Sequence, residues 1–303
     1  MAIADYVTVS AEVMGAHAPV ALETTAIAHG LPYPQNLDVV ARLEAAVRVG
    51  GGVPAWCGLL DGRIRVGLTP AEVERFASSP EMPKASRRDF APILSAGGSG
   101  ATTVAGTMLC AAAANIRVFS TGGLGGVHRQ VADSLDISAD LAELSRTPVA
   151  VVCSGAKAIL DLPKTVEALE TLGVPLVGYG TGSFPAFQVR ESGLPVDAQA
   201  DTPSVAAALV ETQLRLGLGG MVIGVPVPIG EALEASDVEV WVAQALSDAE
   251  QAKIRGKAIT PFLLARLADL SGGRTLDANI ALLENNARVA AEIAAALADR
   301  QGR

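Results

Sequence analysis

Apolar and polar positions along this chain switch between two periods, and the switches mark out its elements. Pro19-Val20-Ala21-Leu22 is a short apolar run that reads as a strand opening into a polar loop. Residues 36–48, with Val39, Val40, Leu43, Ala46 and Val47, carry the spacing of a helix. After the turn signal Asp61-Gly62, residues 64–68 alternate like a strand or hairpin arm. Thr69-Pro70-Ala71-Glu72 then supplies an N-cap, a proline at the first helical position and a capping-box glutamate. Residues 116–119 read as a strand running into the glycine-rich segment 120–129. Residues 149–152, a helix that starts around Lys157, and residues 175–179 form a strand–helix–strand unit, and 219–225 is a further buried strand. Thr260-Pro261 opens a helix that stops at Gly272-Gly273, and Thr275 opens a last long helix to about residue 298. Strands alternating with helices predict an α/β fold around a largely parallel sheet. Polar function is then expected on loops at the carboxyl ends of the strands.

No repeat, low-complexity block or linker divides the sequence, so residues 1–303 are expected to form a single α/β catalytic domain with room for a small annex. Half of the residues are hydrophobic and 18% charged, enough apolar material for a large core. The net charge of −9 and the lack of any lysine- or arginine-rich run argue against a nucleic-acid polymer or an anionic membrane surface as partner. A small phosphate ester remains compatible, because a few cations and backbone amides suffice to hold one. Residues 1–14 lack a basic stretch followed by an apolar segment, so no signal peptide is expected and a cytoplasmic setting is. Cys57, Cys110 and Cys153 stand in scattered apolar contexts and read as buried thiols.

Against this background Lys157 stands out. The chain has five lysines (84, 157, 164, 253 and 257) against eighteen arginines, and this one interrupts an apolar strand, a small-residue turn and the start of a helix. Desolvation there would disfavour the ammonium, and a neutral lysine can attack a carbonyl to form a Schiff base. The ordinary alternative is a lysine whose stem packs and whose head reaches water.

Four other clusters fall on predicted loops. Glu23, with Thr24, Thr25 and His29, places a carboxylate after a strand, where it could serve as a general acid or base or simply belong to a surface turn. Lys84, Ser86, Arg87 and Arg88 would suit a phosphate or carboxylate, or form a solvated charge run. The glycine runs 97–100 and 122–126 could present amides to an anion or be plain tight turns, and neither has clean GxGxxG spacing. Asp136 and Asp140 would share a face if their segment is helical. They would suit magnesium or manganese, or be the acidic start of a capped helix. On the last helix Asn279 and Asn286 are seven apart and project to nearly the same face. Their amides could read a heterocycle or make helix–helix hydrogen bonds.

Taken in order, these segments closely resemble the pseudouridine-5′-phosphate glycosidases, or indigoidine synthase A-like family. The motifs are Leu22-Glu23-Thr24-Thr25 with residues 29–34, Ser86-Arg87-Arg88-Asp89, residues 100–104, 120–129 and 136–141, Gly155-Ala156-Lys157 with 158–161, residues 260–264, and Asn285-Asn286-Ala287. The resemblance runs from about residue 18 to 296. It implies a three-layer α/β/α core with a largely parallel or mixed sheet, a cytoplasmic homotrimer, and a phosphosugar or C-nucleotide as the small-molecule partner. It also implies reversible cleavage of the carbon–carbon bond between uracil and ribose 5-phosphate through a lysine imine. On the matching positions, Lys157 is the nucleophile, Glu23 the proton donor and Asp136 a Mn2+ ligand. Lys84, Thr103, Val104, Ser138 and Asp140 match substrate contacts, with Thr121, His128 and Asn279 as weaker matches.

The sequence departs from the family pattern in several places. Gly224-Val225-Pro226-Val227-Pro228-Ile229 replaces a segment that usually carries an amide and a carboxylate. Leu135, Ser154, Ala26 and Ala28 also differ from the usual residues. These changes suggest a more apolar aglycone side, hence an alternative in which ribose 5-phosphate is joined to an aromatic polyketide-type acceptor. A phosphosugar-binding protein without turnover and an NAD-dependent enzyme are the remaining readings; the intact catalytic set counts against the first and the glycine spacing against the second.

Overall fold

The computed structural model describes residues 3–302 apart from residues 80, 130 and 255. Its strands are β1 (Val7–Val9), β2 (Pro19–Glu23), β3 (Val53–Leu60), β4 (Arg63–Val66), β5 (Lys84–Ala85), β6 (Gly100–Thr102), β7 (Val118–Ser120), β8 (Ala150–Cys153), β9 (Leu176–Tyr179), β10 (Ala198–Ala200) and β11 (Met221–Gly224). They form one sheet in the order β1-β4-β3-β2-β7-β8-β11-β9-β10, with β5 and β6 on a branch from β3. From β3 through β2, β7, β8, β11 and β9 to β10 every pairing is parallel. The antiparallel exceptions are β3 with β4, across the Asp61-Gly62 turn, and β3 with β6. The sheet is therefore mixed, and helices flank it as the three-layer expectation required.

Central strands read as unbroken apolar runs because both faces are covered. β8 (Ala-Val-Val-Cys) and β11 (Met-Val-Ile-Gly) are buried at every position. The helix Arg274–Gln301 packs on β2, β7 and β8 and against the helices Gln35–Val49 and Pro203–Leu216. The helix Val104–Ala113 packs on β2, β3 and β7 and against the short helix Ala139–Leu144. All three cysteines are free and buried. Among the described residues no helix is long and apolar enough to cross a membrane.

Three expectations need correction. The predicted strand–helix–strand unit exists as β8, the helix Leu162–Thr171 and β9, but β11 lies between its two strands. Lys157 does not start that helix: Asp161 caps it through the Lys164 amide, with Pro163 in its first turn, so residues 154–160 are a loop. Nor do Asp136 and Asp140 share a helix. Leu135 takes a left-handed φ of 52° after the turn Val131–Ser134, and helix resumes only at Ala139 with Ser138 as its cap.

The strand order decides where chemistry can happen. β2 leads on to β3 on one side, and β7 leads on to β8 on the other, so the chain diverges between β2 and β7. Ligands in open α/β sheets bind in the crevice at such a divergence, beyond the carboxyl ends of the strands.

Candidate active site

Three adjacent strands, β2, β7 and β8, lead into that crevice: two place a residue in it and the third a residue directly behind it. Glu23 is the last residue of β2, Thr121 directly follows β7, and Lys157 lies on the loop after β8. Thr121 donates its hydroxyl to Glu23 Oε1 at 2.5 Å. Lys157 Nζ donates to the Gly123 carbonyl at 2.8 Å, while its backbone N–H donates to the Leu124 carbonyl and the Leu124 N–H to Gly155. The loops after β7 and β8 are thus zipped together. Gly155 permits this with a φ of 80°, and a β-carbon there would lie 1.9 Å from the Pro185 carbonyl oxygen.

Glu23 is buried, and that desolvation raises its pKa above the ordinary carboxylate value. The Lys157 charge, the Thr121 hydroxyl and Lys84 pull it back down, and Asp140 adds to the rise. A carboxyl whose pKa is raised, near a lysine, is the arrangement a general acid needs. The two threonines of the first motif have a structural task. Thr24 donates to the Cys57 carbonyl at 2.8 Å and Thr25 to that of Thr102 at 2.6 Å, pinning the start of the short helix Thr25–Gly30, which stands where a polar loop was expected.

A cavity of about 580 Å³ opens over these groups. Of the predicted site residues, Glu23, Lys84, Thr103, Val104, His128, Asp136, Ser138, Asp140, Lys157 and Asn279 all line it. Thr121 does not: it is 1% exposed and reaches the site only through Glu23. Asp140 spends both oxygens on backbone, accepting from the Ala105 and Gly125 amides at 2.9 Å each. It joins the amino end of the helix Val104–Ala113 to the second glycine run, where a β-carbon on Gly125 would strike Ser138 Oγ at 2.3 Å. The first glycine run (97–100) is absent from the cavity lining; Gly98 instead accepts from the Gly62 amide in the hairpin region.

The arginine motif also resolves into a structural part. Arg87 makes two 2.6 Å hydrogen bonds to Glu143, a fully buried carboxylate on the helix Ala139–Leu144. Replacing Arg87 with alanine is expected to cost about 2 kcal/mol in urea unfolding, below the full penalty for a wholly buried pair because the arginine is half-exposed. An unchanged midpoint would show that Glu143 is not held this way. Arg88 is largely exposed, lies 3.9 Å from Asp89 and lines the cavity.

Asp136 offers a half-exposed carboxylate to the cavity, 3.8 Å from His128 Nε2. Among the described residues no three His, Cys, Asp or Glu side chains converge as a metal cage. With Asp140 committed to amides, the donor set fits a hard divalent ion bound through one carboxylate, with water and ligand oxygens filling the other positions.

The sequence reading left His29 out of the site residues, yet it lines the cavity. Its Nε2 lies 2.8 Å from the Met82 carbonyl oxygen, so that nitrogen carries the proton. Burial, then the nearby Lys84 charge, lowers its pKa and keeps the ring neutral, which leaves Nδ1 as an acceptor. The apolar lining (Leu31, Ile137, Ile259, Leu264 and Leu283) comes from segments far apart in sequence. In contrast, the altered segment 224–229 contributes nothing to the lining: Val225 and Val227 are buried in the core at the end of β11, three strands from Glu23. The argument for an apolar aglycone side from those substitutions therefore fails; only Ala26, among the altered positions, touches the cavity.

Comparison with known proteins agrees with this geometry. Residues 8–296 match the family described as indigoidine synthase A like protein. A pseudouridine-5′-phosphate glycosidase of Sorangium cellulosum is 50% identical, covering 99% of this chain and 96% of the relative. One of Paracoccus denitrificans is 54% identical over 92% and 93%. Among solved structures, the prealnumycin C-glycosynthase AlnA in complex with ribulose 5-phosphate superposes with a TM-score of 0.90 at 42% identity, covering 98% of both chains. An indigoidine synthase A-like protein of Thermotoga maritima gives 0.88 at 33% identity, covering 96% of both. By sequence over nearly its whole length and by fold, the chain belongs to the indigoidine synthase A-like family, in which these pseudouridine-5′-phosphate glycosidases are its relatives.

Proposed function

We propose that this enzyme reversibly cleaves pseudouridine 5′-phosphate with water to uracil and ribose 5-phosphate, through a lysine imine. The observation that carries the reading is the placement of a buried Glu23, whose pKa burial raises, and of Lys157 around one crevice, in a chain about half identical to glycosidases of that name.

In the cleavage direction Lys157 Nζ, as the free amine, attacks C1′ as the C1′–O4′ bond breaks; O4′ takes a proton from Glu23, and the carboxylate so formed removes one from the new ammonium. Glu23 then gives that proton to the uracil carbon that carries the sugar, and the lysine nitrogen's electron pair expels the base, so the C–C bond breaks and the C1′ iminium forms. Water hydrolyses that iminium, its released proton returning to Glu23, and frees ribose 5-phosphate and the amine. A C-glycoside has no heteroatom on the leaving group to protonate, so the iminium supplies the electron sink that a two-carboxylate glycosidase does not need. Lys84 and Arg88 supply positive charge, and Val104 an amide at a helix start, for the sugar phosphate. Asp136 would hold the manganese ion, which when bound supplies positive charge to the oxygens of the phosphosugar. By resemblance the assembly is a cytoplasmic homotrimer.

The second reading, C-ribosylation of an aromatic acceptor, is favoured by the likeness to AlnA. Incubation with manganese and pseudouridine 5′-phosphate separates the two. Release of uracil supports the first reading. A borohydride-trapped ribose 5-phosphate adduct on Lys157 without uracil release supports the second.

A further inference from the structure

We propose that Asn286 is a positioning residue of this site: its amide ties the loop behind Glu23 to the loop that carries Lys157, and so sets how the two approach each other. The proposal rests on the reading of Glu23 and Lys157 as the reacting pair.

Asn286 lies in the middle of the helix Arg274–Gln301 and has no exposed surface. Its Nδ2 donates to the Thr121 carbonyl at 2.9 Å and lies 3.1 Å from Ser154 Oγ. The Ser154 hydroxyl in turn donates to Asn286 Oδ1 at 3.2 Å. Each partner is one step from the chemistry. Thr121 is the residue whose hydroxyl holds Glu23, and Ser154 begins the loop that ends at Lys157. Ser154 is itself a junction, since its N–H donates to the Gly122 carbonyl and its carbonyl accepts from Phe187.

A leucine would fill the same helix–sheet space without the cost of burying an amide. The amide is accounted for by the bonds it makes, and those go to the two strand-end loops rather than to strand interiors. Ser154 strengthens the joint in this chain. Without that hydroxyl, Asn286 Oδ1 would lose this partner. A buried polar joint with every member satisfied holds one geometry, which a purely apolar contact does not impose.

The test uses the full chain. Asn286→Ala is expected to fold with a lowered melting temperature and to lose about a hundredfold in kcat, with KM for pseudouridine 5′-phosphate within about threefold of wild type. Borohydride trapping of ribose 5-phosphate on Lys157 should slow in parallel. The limb of the kcat–pH profile that reports Glu23 should move to higher pH, because the Thr121 hydroxyl favours the ionised carboxylate and would hold it less well. The charges facing Glu23 (Lys157, Lys84 and Asp140) are unchanged by the substitution. Ser154→Ala removes only part of the joint and serves if Asn286→Ala does not fold. It is expected to lower kcat by about threefold to tenfold, again without a matching change in KM.

A merely structural amide predicts something else: activity per trapped site equal to wild type and an unmoved pH profile, whatever the melting temperature. That result in Asn286→Ala, or in Ser154→Ala if the first variant is unfolded, overturns the proposal. Wild-type protein that neither releases uracil nor forms a Lys157 adduct would instead remove the functional reading, and this proposal with it.

Discussion

Lys157→Ala is expected to lower the release of uracil from pseudouridine 5′-phosphate by at least about a thousandfold and to abolish the borohydride adduct with ribose 5-phosphate. Alanine cannot form the imine, and no neighbouring group can replace a carbon–nitrogen double bond as electron sink. The fold should tolerate the change: the side chain's hydrogen bond goes to the Gly123 carbonyl, and the loop keeps its backbone pairing to Leu124. A melting temperature within about 2 °C of wild type is therefore expected. Lys157→Arg separates charge from chemistry, because it keeps a cation near Glu23 but cannot become an imine. The informative failure is an adduct that persists in Lys157→Ala and maps to Lys84, the other lysine seen on the cavity wall. That would move the nucleophile across the crevice.

Glu23→Gln is expected to remove proton transfer, at a cost of roughly a hundredfold to ten-thousandfold in kcat, and at the same time to stabilise the protein. Burial raises the pKa of Glu23, so the folded state binds its proton more tightly than the unfolded chain does. The group's favourable contribution is complete below the ordinary carboxylate pKa and is lost as pH rises toward the folded value. Glutamine keeps the oxygen that accepts from Thr121 but cannot ionise. The variant and wild type should thus melt together near pH 4. They should then diverge as pH rises, with the variant the more stable at neutral pH. A variant less stable than wild type at pH 7 would mean that the carboxylate is a net structural asset, and its role as a proton-holding acid would fall.

Much of this was legible before any coordinates. Glu23 and Lys157 announce themselves because each follows an apolar run where a buried strand has no use for charge. The strand order is what periodicity does not carry. Thr121 meets Glu23 across 98 positions only because β7 pairs with β2, and β11 enters between β8 and β9 from later in the chain. Arg87 looks like a phosphate ligand until Glu143, 56 positions away, is found beneath it. The aspartate pair looked helical because spacing says nothing of the left-handed turn at Leu135. His29 stands inside the first motif, but its value lies in a tautomer set by a carbonyl 53 residues on. Such errors share one cause: pairings between distant segments are set by packing, not by local pattern.

The helix Arg274–Gln301 follows every strand of the sheet in chain order, and it carries the amide that joins the loops of Thr121 and Lys157. During synthesis the strands can pair early, yet the joint beneath the reacting pair closes only when this helix docks. A nascent chain, or one cut short before residue 286, would then hold its reactive lysine on a loop without its tether, beside an acid whose threonine partner is loosely held. Pairing of the strands alone therefore does not complete the geometry of the reacting pair; a contact spanning 132 positions, from Asn286 to Ser154, does.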